Sequence, residues 1–473
     1  MTATPTDARP TDGSPTDAPA LLDAPLGPLD GRYRAAVAPL AEHLSEAALN
    51  RERVRVEVEW LIHLTQTGAV PGLRRLTDDE TARLRDVVAT FDASSVAEIA
   101  ETERVTLHDV KAVEYFVKKR MEGTSLADLG EIVHLFCTSE DVNNLAYALM
   151  VKGAVEQVWL PAASGLVDDV AAMAREHAGA AMLARTHGQP ATPTTLGKEL
   201  AVLAHRLRRQ LRRIGRAEYL GKINGATGTF SAHVAGAPAT DWPQVSRTFV
   251  EHLGLTWNPL TTQIESHDWQ AELYADVARF NRILHNLATD VWTYISLGYF
   301  AQVRGQGTVG SSTMPHKVNP IRFENAEANL EVSNALLDVL ASTLVTSRMQ
   351  RDLTDSSMQR NVGTAFGHSL LAIDNARKGL AGLDVDAAAL ARDLDATWEV
   401  LGEAVQSVMR VHGLDQPYER LKELTRGRTV DAAAMREFVL GLGLPDDVQQ
   451  RLLDLTPGTY TGIAADLVDY LDR

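Results

Sequence analysis

Cysteine is all but missing from this chain: Cys137 is the single one in 473 residues. An internal disulfide is therefore excluded, and the usage fits a reducing compartment, which predicts a cytoplasmic protein. Within Leu135-Phe136-Cys137 the thiol reads as a small buried hydrophobe rather than a nucleophile. No run of about 18 apolar residues is available to span a bilayer, and the first residues lack the basic and apolar regions of a secretion signal. His-Glu-x-x-His, paired Cys-x-x-Cys and carboxylate clusters are missing too, so neither a metal nor another cofactor is expected. Positive charge is scarce. A formal net charge of -16 argues against a nucleic-acid binder, which needs a broad basic face. A small anionic substrate would have to be met by positive charge concentrated locally.

What is present is an ordinary globular composition, 45% hydrophobic and 23% charged. The length exceeds a single core, so two or three domains are expected. Residues 1–24 repeat Pro-Thr-Asp at Pro5, Pro10 and Pro15 and offer almost nothing to a core, which predicts a disordered tail. Beyond it the pattern is helical. Residues 269–297 place Leu273, Val277, Phe280, Leu284, Leu287, Val291 and Tyr294 at alternating steps of four and three, the 3.5-residue spacing of a supercoiling helix. A second long helix runs through Leu200, Leu203, Leu207, Leu211 and Ile214; its basic face from Arg206 to Arg213 reads as solvated or subunit-facing. A third runs through Phe323, Leu330, Leu337, Leu340 and Leu344. These predict an all-α fold around a long-helix bundle, in which surplus apolar stripes are buried by self-association.

Three irregular stretches interrupt the helices. Residues 305–320 hold three glycines, four hydroxyl side chains and two prolines, predicting a mobile loop of the kind that carries binding and catalytic groups. Ala184 to Lys198 contains His187 between Thr186 and Gly188, away from any apolar face. An imidazole so placed is the best general-acid candidate, since it titrates near neutrality. The small residues of Gly221 to Pro243 suggest close backbone approach near a site. Two helix starts read either way. His108-Asp109, with Thr106 and Asp109 suited to a first turn, is a helix cap or a binding pair. Thr138 and Asp141 have capping-box spacing, and the capped N-terminus with Ser139 equally presents N–H groups to an anion.

Gly310-Ser311-Ser312-Thr313-Met314-Pro315-His316-Lys317-Val318-Asn319-Pro320, continuing through Ile321-Arg322-Phe323-Glu324-Asn325, resembles the signature loop of the fumarase/aspartase superfamily, in the form found in its adenylosuccinate lyase family. The resemblance covers about residues 26–473. It implies an all-α, fumarase/aspartase-like subunit of three helical domains (25–127, 128–381 and 382–473), and a homotetramer whose active sites combine loops from three subunits. It implies a carbon-nitrogen lyase that releases fumarate from adenylosuccinate, giving AMP, and from the succinylated carboxamide ribotide earlier in purine synthesis. On this resemblance Ser311 is the base and His187 the acid. Ser312, Lys317, Asn319 and Asn325 contact substrate, with Lys317 and Asn319 at its carboxylates, and so do Gln263, Thr138 and Ser139. Arg32 and Tyr33 hold the nucleotide part, His108 and Asp109 line the site, and Arg351, Ser356 and Arg360 hold the phosphate. Without it, Arg32 and Tyr33 read as a solvated turn pair and Arg351, Ser356 and Arg360 as surface helix-end residues. Leu107 stands where the related lyases usually have a polar Asn or His. The alternatives are another superfamily lyase, such as argininosuccinate lyase, or a non-catalytic helical scaffold.

Such an elimination needs a base for a C–H next to a carboxylate, an acid for the leaving nitrogen, and positive groups for the doubly negative intermediate. A serine is a weak base. A lysine at about 4 Å and an effective dielectric near 20 contributes roughly 4 kcal/mol, about three pKa units. Lys317 alone is not enough, and backbone N–H groups of the glycine-rich loop must help.

Overall fold

The computed structural model describes residues 25–302, 318–425 and 430–472. The predicted tail at 1–24 and the part of the signature loop that carries Ser311, Ser312 and Lys317 lie outside the described residues.

Five helices precede the bundle: α1 (Arg34–Leu44), α2 (Glu46–Thr67), α3 (Asp78–Ala89), α4 (Ala93–Thr106) and α5 (Asp109–Met121). The bundle is built from α6 (Ser139–Ala154), α7 (Leu160–Glu176), α8 (Leu196–Ile214), the short α9 (Ser231–Gly236), α10 (Trp242–His252), α11 (Asp268–Ser296), α12 (Ile321–Leu344), the short α13 (Thr354–Gln359) and α14 (Val362–Leu380). The chain closes with α15 (Ala387–Asp395), α16 (Gly402–Val411), α17 (Pro417–Thr425), α18 (Ala432–Leu440) and α19 (Asp446–Leu453), then a last turn, Ala464–Leu467, running into a 3₁₀ end. The all-α expectation holds, and the three long helices read from periodicity are α11, α8 and α12. Six of the seven heptad positions named for α11, Leu273 to Val291, are fully buried.

Strands are two or three residues long and serve as clasps. β1 (Ala181–Met182) pairs with β4 (Thr194–Thr195), and β2 (Arg185–Thr186) with β3 (Gln189–Pro190), both antiparallel. β5 (Leu220–Gly221) pairs in parallel with β6 (Thr256–Trp257), and β7 (Phe300–Gln302) antiparallel with β8 (Leu383–Val385).

Burial is divided among several cores. α2 faces two of them: Val56, Trp60 and Leu64 join the bundle core, while Val54, Val58, Leu61 and Ile62 pack with Phe116, Val117 and Leu129 in an N-terminal core. A third core, from Leu401 to Leu452, belongs to the C-terminal helices. The end of the chain then returns to the bundle through Val468 and Leu471.

One feature of the bundle decides where functional groups can meet. α6 runs without a break through one π-helical turn, Val155–Trp159, into α7. At 1.5 Å per residue, residues 139–176 span about 55 Å. Ser139 is at one end; β1 and the β2–β3 hairpin follow the other.

Candidate active site

The start of α6 is a densely hydrogen-bonded corner of the molecule. Thr138 caps the helix, its N–H donating to Asp141 Oδ2 at 2.8 Å, so the capping box read from sequence is present. Asp141 does much more than cap. It is fully buried, accepts from the N–H groups of Asn224 (2.9 Å) and Gly225 (3.1 Å), and pairs with the equally buried Lys222 Nζ at 2.8 Å. Asn144, one turn on, clamps the Lys222 backbone, its Oδ1 accepting at 2.9 Å and its Nδ2 donating at 3.0 Å. The Gly225–Gly228 stretch is thereby tied to the helix, which fits the close approach expected there: a Cβ on Gly228, at φ +76°, would stand 2.2 Å from Thr261 O. Below it His233 is fully buried among Phe136, Phe230 and Trp242, and burial pushes its pKa down to about 4.

His108 faces this helix start. It is the N-cap of α5, its Nδ1 accepting from Lys111 N–H at 3.2 Å. That bond makes Nδ1 the unprotonated nitrogen and leaves Nε2 to carry hydrogen, and Nε2 lies 3.4 Å from Ser139 Oγ. The cap is thus present, and the same residue reaches Ser139. Thr106, expected in the first turn of that helix, instead ends α4; Leu107 between them takes the left-handed conformation at φ +54°. Asp109 Oδ2 bonds Arg53 Nη2 at 2.6 Å and stands 3.6 Å from Arg360 Nη2. Burial raises the Asp109 pKa, but Arg53 and the Val110 N–H outweigh it, and the net shift is downward.

Opposite lies Arg351. Its Nη1 donates to Gln263 Oε1 at 3.3 Å and its Nη2 pairs with Glu140 at 2.9 Å, while Gln263 Nε2 donates to Ala226 O at 2.9 Å. Glu140 is 3% exposed, and burial raises its pKa against the pull of Arg351. Arg360 reaches Glu46 at 2.7 Å. Ser356 lies on α13 between the two arginines, its N–H donating to Asp355 Oδ1 at 2.7 Å.

This corner therefore gathers His108, Asp109, Thr138, Ser139, Gln263, Arg351, Ser356 and Arg360. Tyr33 and Asn325 meet elsewhere, Asn325 Nδ2 donating to the Tyr33 hydroxyl at 3.2 Å, beside Arg32, whose guanidinium lies 5.8 Å from the Tyr33 ring. Asn319 is exposed just before α12. His187 is in a third place: exposed, at the turn of the β2–β3 hairpin beyond the far end of α7. One chain alone does not bring His187 to Ser139. Cys137 is partly buried, and burial pushes its thiol pKa well above the ordinary value, the reverse of what a nucleophile needs. Among the described residues no group of three or more His, Cys, Asp or Glu is placed to hold a metal ion.

Comparison with known proteins decides the family. The lyase family model matches residues 31–332 and the adenylosuccinate lyase C-terminal model residues 347–461. The adenylosuccinate lyase of Escherichia coli (strain K12) is 49% identical over 447 residues, covering 94% of this chain and 98% of its own. The chain belongs to the adenylosuccinate lyase family. The Haemophilus influenzae adenylosuccinate lyase is 47% identical over the same shares of the two chains. Among solved structures, a fumarate lyase from Mesorhizobium sp. BNC1 superposes with a TM-score of 0.74 at 20% identity, over 92% of this chain and 97% of that one. The 3-carboxy-cis,cis-muconate lactonizing enzyme of Pseudomonas putida gives 0.70 at 22% identity, over 92% and 96%. These two carry the fold alone; the family makes the chain a carbon-nitrogen lyase of purine biosynthesis. No helix among the described residues is long and apolar enough to cross a membrane.

Sequence reasoning passed over Arg53, Glu140 and Lys222. A buried lysine has no sequence signature of its own, though Lys222 stands at the head of the glycine-rich stretch already singled out. Asp141 was legible as a cap and not as the carboxylate on which four donors converge.

Proposed function

We propose that the chain eliminates fumarate from adenylosuccinate to give AMP, and from the succinylated carboxamide ribotide to give the free carboxamide, with Ser311 as base and His187 as acid. The near full-length kinship to adenylosuccinate lyases carries the substrate, and the start of α6 supplies a seat for its anionic groups. There the capped helix N-terminus, the His108 Nε2–H and two arginines face one another. The two arginines have different parts. Arg351, tied to buried Glu140 and to Gln263, is a fixed donor. Arg360, 40% exposed and paired with the more exposed Glu46, can exchange that partner for a phosphate. Tyr33 and Arg32 would hold the nucleotide, Lys317 and Asn319 the carboxylates of the succinyl end, and Ser312 and Asn325 would be further substrate contacts.

The separation of His187 from Ser139 within one chain supports an assembly in which sites are completed by neighbouring copies, and we read this assembly as a homotetramer. We also assign the cytoplasm as its compartment and three domains to each subunit.

The deciding experiment offers the purified protein adenylosuccinate, argininosuccinate and aspartate separately and measures fumarate. Release from adenylosuccinate is expected; release only from argininosuccinate or aspartate overturns the assignment, and none from any of them leaves a non-catalytic scaffold. Shared sites are tested by mixing the strongly impaired Ser311→Ala and His187→Asn variants under conditions that exchange subunits. Activity well above that of either variant is expected, whereas a mixture no more active than its parts means that each site is built from one chain.

A further inference from the structure

The hairpin that carries His187 is minimal. Its ladder is two residue pairs, Arg185 opposite Pro190 and Thr186 opposite Gln189. Its two-residue turn has positive φ at both His187 (53°) and Gly188 (74°), as a type I′ turn requires. Every residue from Arg185 to Pro190 is exposed. A two-stranded ribbon of this size does not hold itself in one place. The position of the imidazole is set by whatever grips the hairpin at its base.

Below the ladder the Ala191 N–H donates to Ala184 O at 2.8 Å and β1 pairs with β4; from outside the ribbon, the grip comes from one carboxylate on α15. Arg185 Nη2 donates to Asp393 Oδ1 at 2.9 Å and to Oδ2 at 2.6 Å. The Tyr299 hydroxyl donates to the same Oδ2. Burial, and then the bond to Asp393, push the phenol pKa up to about 12, so it stays a protonated donor. Apolar packing follows the same line: Leu183, just before the hairpin, clusters with Leu394, the neighbour of Asp393, and with Val400. Thr192, just after the hairpin, donates to Glu403 on α16. Tyr299 in turn immediately precedes β7, the strand from which the chain enters the signature segment, and β7 pairs with β8, just ahead of α15. Asp393 therefore touches both the base of the hairpin and the residue at the root of that strand.

We propose that Asp393 is a positioning residue for the reaction: through Arg185 it fixes the hairpin so that His187 meets the leaving nitrogen, and through Tyr299 it registers that hairpin against the strand leading to the signature segment. The proposal rests on His187 being the general acid. As the C–N bond breaks, its electron pair goes to nitrogen and His187 supplies the proton. A displacement of about 1 Å in such a donor costs on the order of 100-fold in rate. The Arg185–Asp393 pair is 29% and 27% exposed, so it contributes little to folding and its value lies in placement.

The test uses the full chain and adenylosuccinate. Asp393→Asn is expected to lower kcat about 10- to 100-fold with KM changed less than about threefold, with melting and assembly as in the wild type. Asp393→Glu should recover part of the loss, and Tyr299→Phe should cost less than Asp393→Asn. The decisive measurement is the double variant. If Asp393 acts through His187, then Asp393→Asn added to His187→Asn costs nothing further. The same fold-loss in both backgrounds, or an Asp393→Asn enzyme with unchanged kcat while His187→Asn is impaired, overturns the proposal and leaves the acid assignment standing. A fully active His187→Asn enzyme removes the acid assignment itself.

Discussion

At the Ser139 end of the long α6–α7 helix, Asp141 and Lys222 have no exposed side-chain surface and are locked by backbone N–H groups and Asn144. Beyond the other end, Arg185 and Asp393 keep more than a quarter of their surface in solvent and hold a hairpin of two residue pairs. The first arrangement is preorganised by burial: its charges are desolvated, and each has partners that fix it. The second is held loosely by one chain, in keeping with the proposal that His187 finishes its site on another copy. On that proposal the anion seat is built by a single fold, whereas an acid that must reach a substrate seated elsewhere has to be presented at a surface.

The largest stability effect should separate the two ends. Lys222→Met strands the Asp141 carboxylate in the interior and should cost about 3–5 kcal/mol in denaturant unfolding. Pairing it with Asp141→Leu should not recover the loss, although replacing a simple buried ion pair by apolar residues often does. The reason is that Asp141 also satisfies the Thr138, Asn224 and Gly225 N–H groups, which would be left buried without partners. A double variant as stable as the wild type would show that the pair is only a pair. Arg185→Met, at the exposed end, should cost less than about 1 kcal/mol while still lowering kcat. Equal stability losses at both ends would erase the comparison.

A smaller effect concerns pH. The partly buried His134 Nδ1 lies 2.6 Å from Oε1 of the buried Glu57. Burial pulls the His134 pKa down, but the Glu57 charge and hydrogen bond outweigh it, and the net shift is upward from 6.5. The folded state therefore binds this proton more tightly than the unfolded chain. Its contribution to stability is complete below about pH 6.5 and is lost as pH rises through the folded-state value. Unfolding free energy measured across that window should fall with rising pH, and His134→Asn should remove that part of the slope. A slope unchanged by the substitution would assign the pH dependence to other groups.

The same contrast explains what could be read from the sequence. Helices α8, α11 and α12 were legible because a bundle core demands a spacing of three and four, and Leu273 to Val291 obey it without exception. The start of α6 was legible because Thr138 and Asp141 stand three apart before an apolar pattern. The partner of Asp141 was not, since Lys222 lies 81 residues further on and nothing local marks a lysine as buried. Thr106 misled for a related reason: Thr and His can both cap a helix, and the choice was made by α4 running on to Thr106 and reversing at Leu107. His187 was legible as a reactive type in an irregular stretch. Its distance from the other groups followed from α6 and α7 being one continuous rod, which the sequence, with Pro161 near the join, did not announce.

Leu107 gives the smallest effect and tests whether the Ser139 end is complete in one chain. It sits at φ +54° between α4 and α5, with its N–H on Glu103 O at 2.7 Å. The left-handed conformation costs a residue with a branched side chain about 1–2 kcal/mol, and glycine or asparagine adopts it far more readily. The residue is 87% exposed, so within one chain it gains little packing in return. Leu107→Asn should therefore raise stability by about 1 kcal/mol, read as a higher denaturant midpoint at unchanged slope. It also places an amide beside His108, and KM for adenylosuccinate should not rise. A lower midpoint, or dissociation of the assembly, would mean that this exposed leucine is covered by a neighbouring copy. The corner that looks finished would then be completed from outside, as we propose for the hairpin.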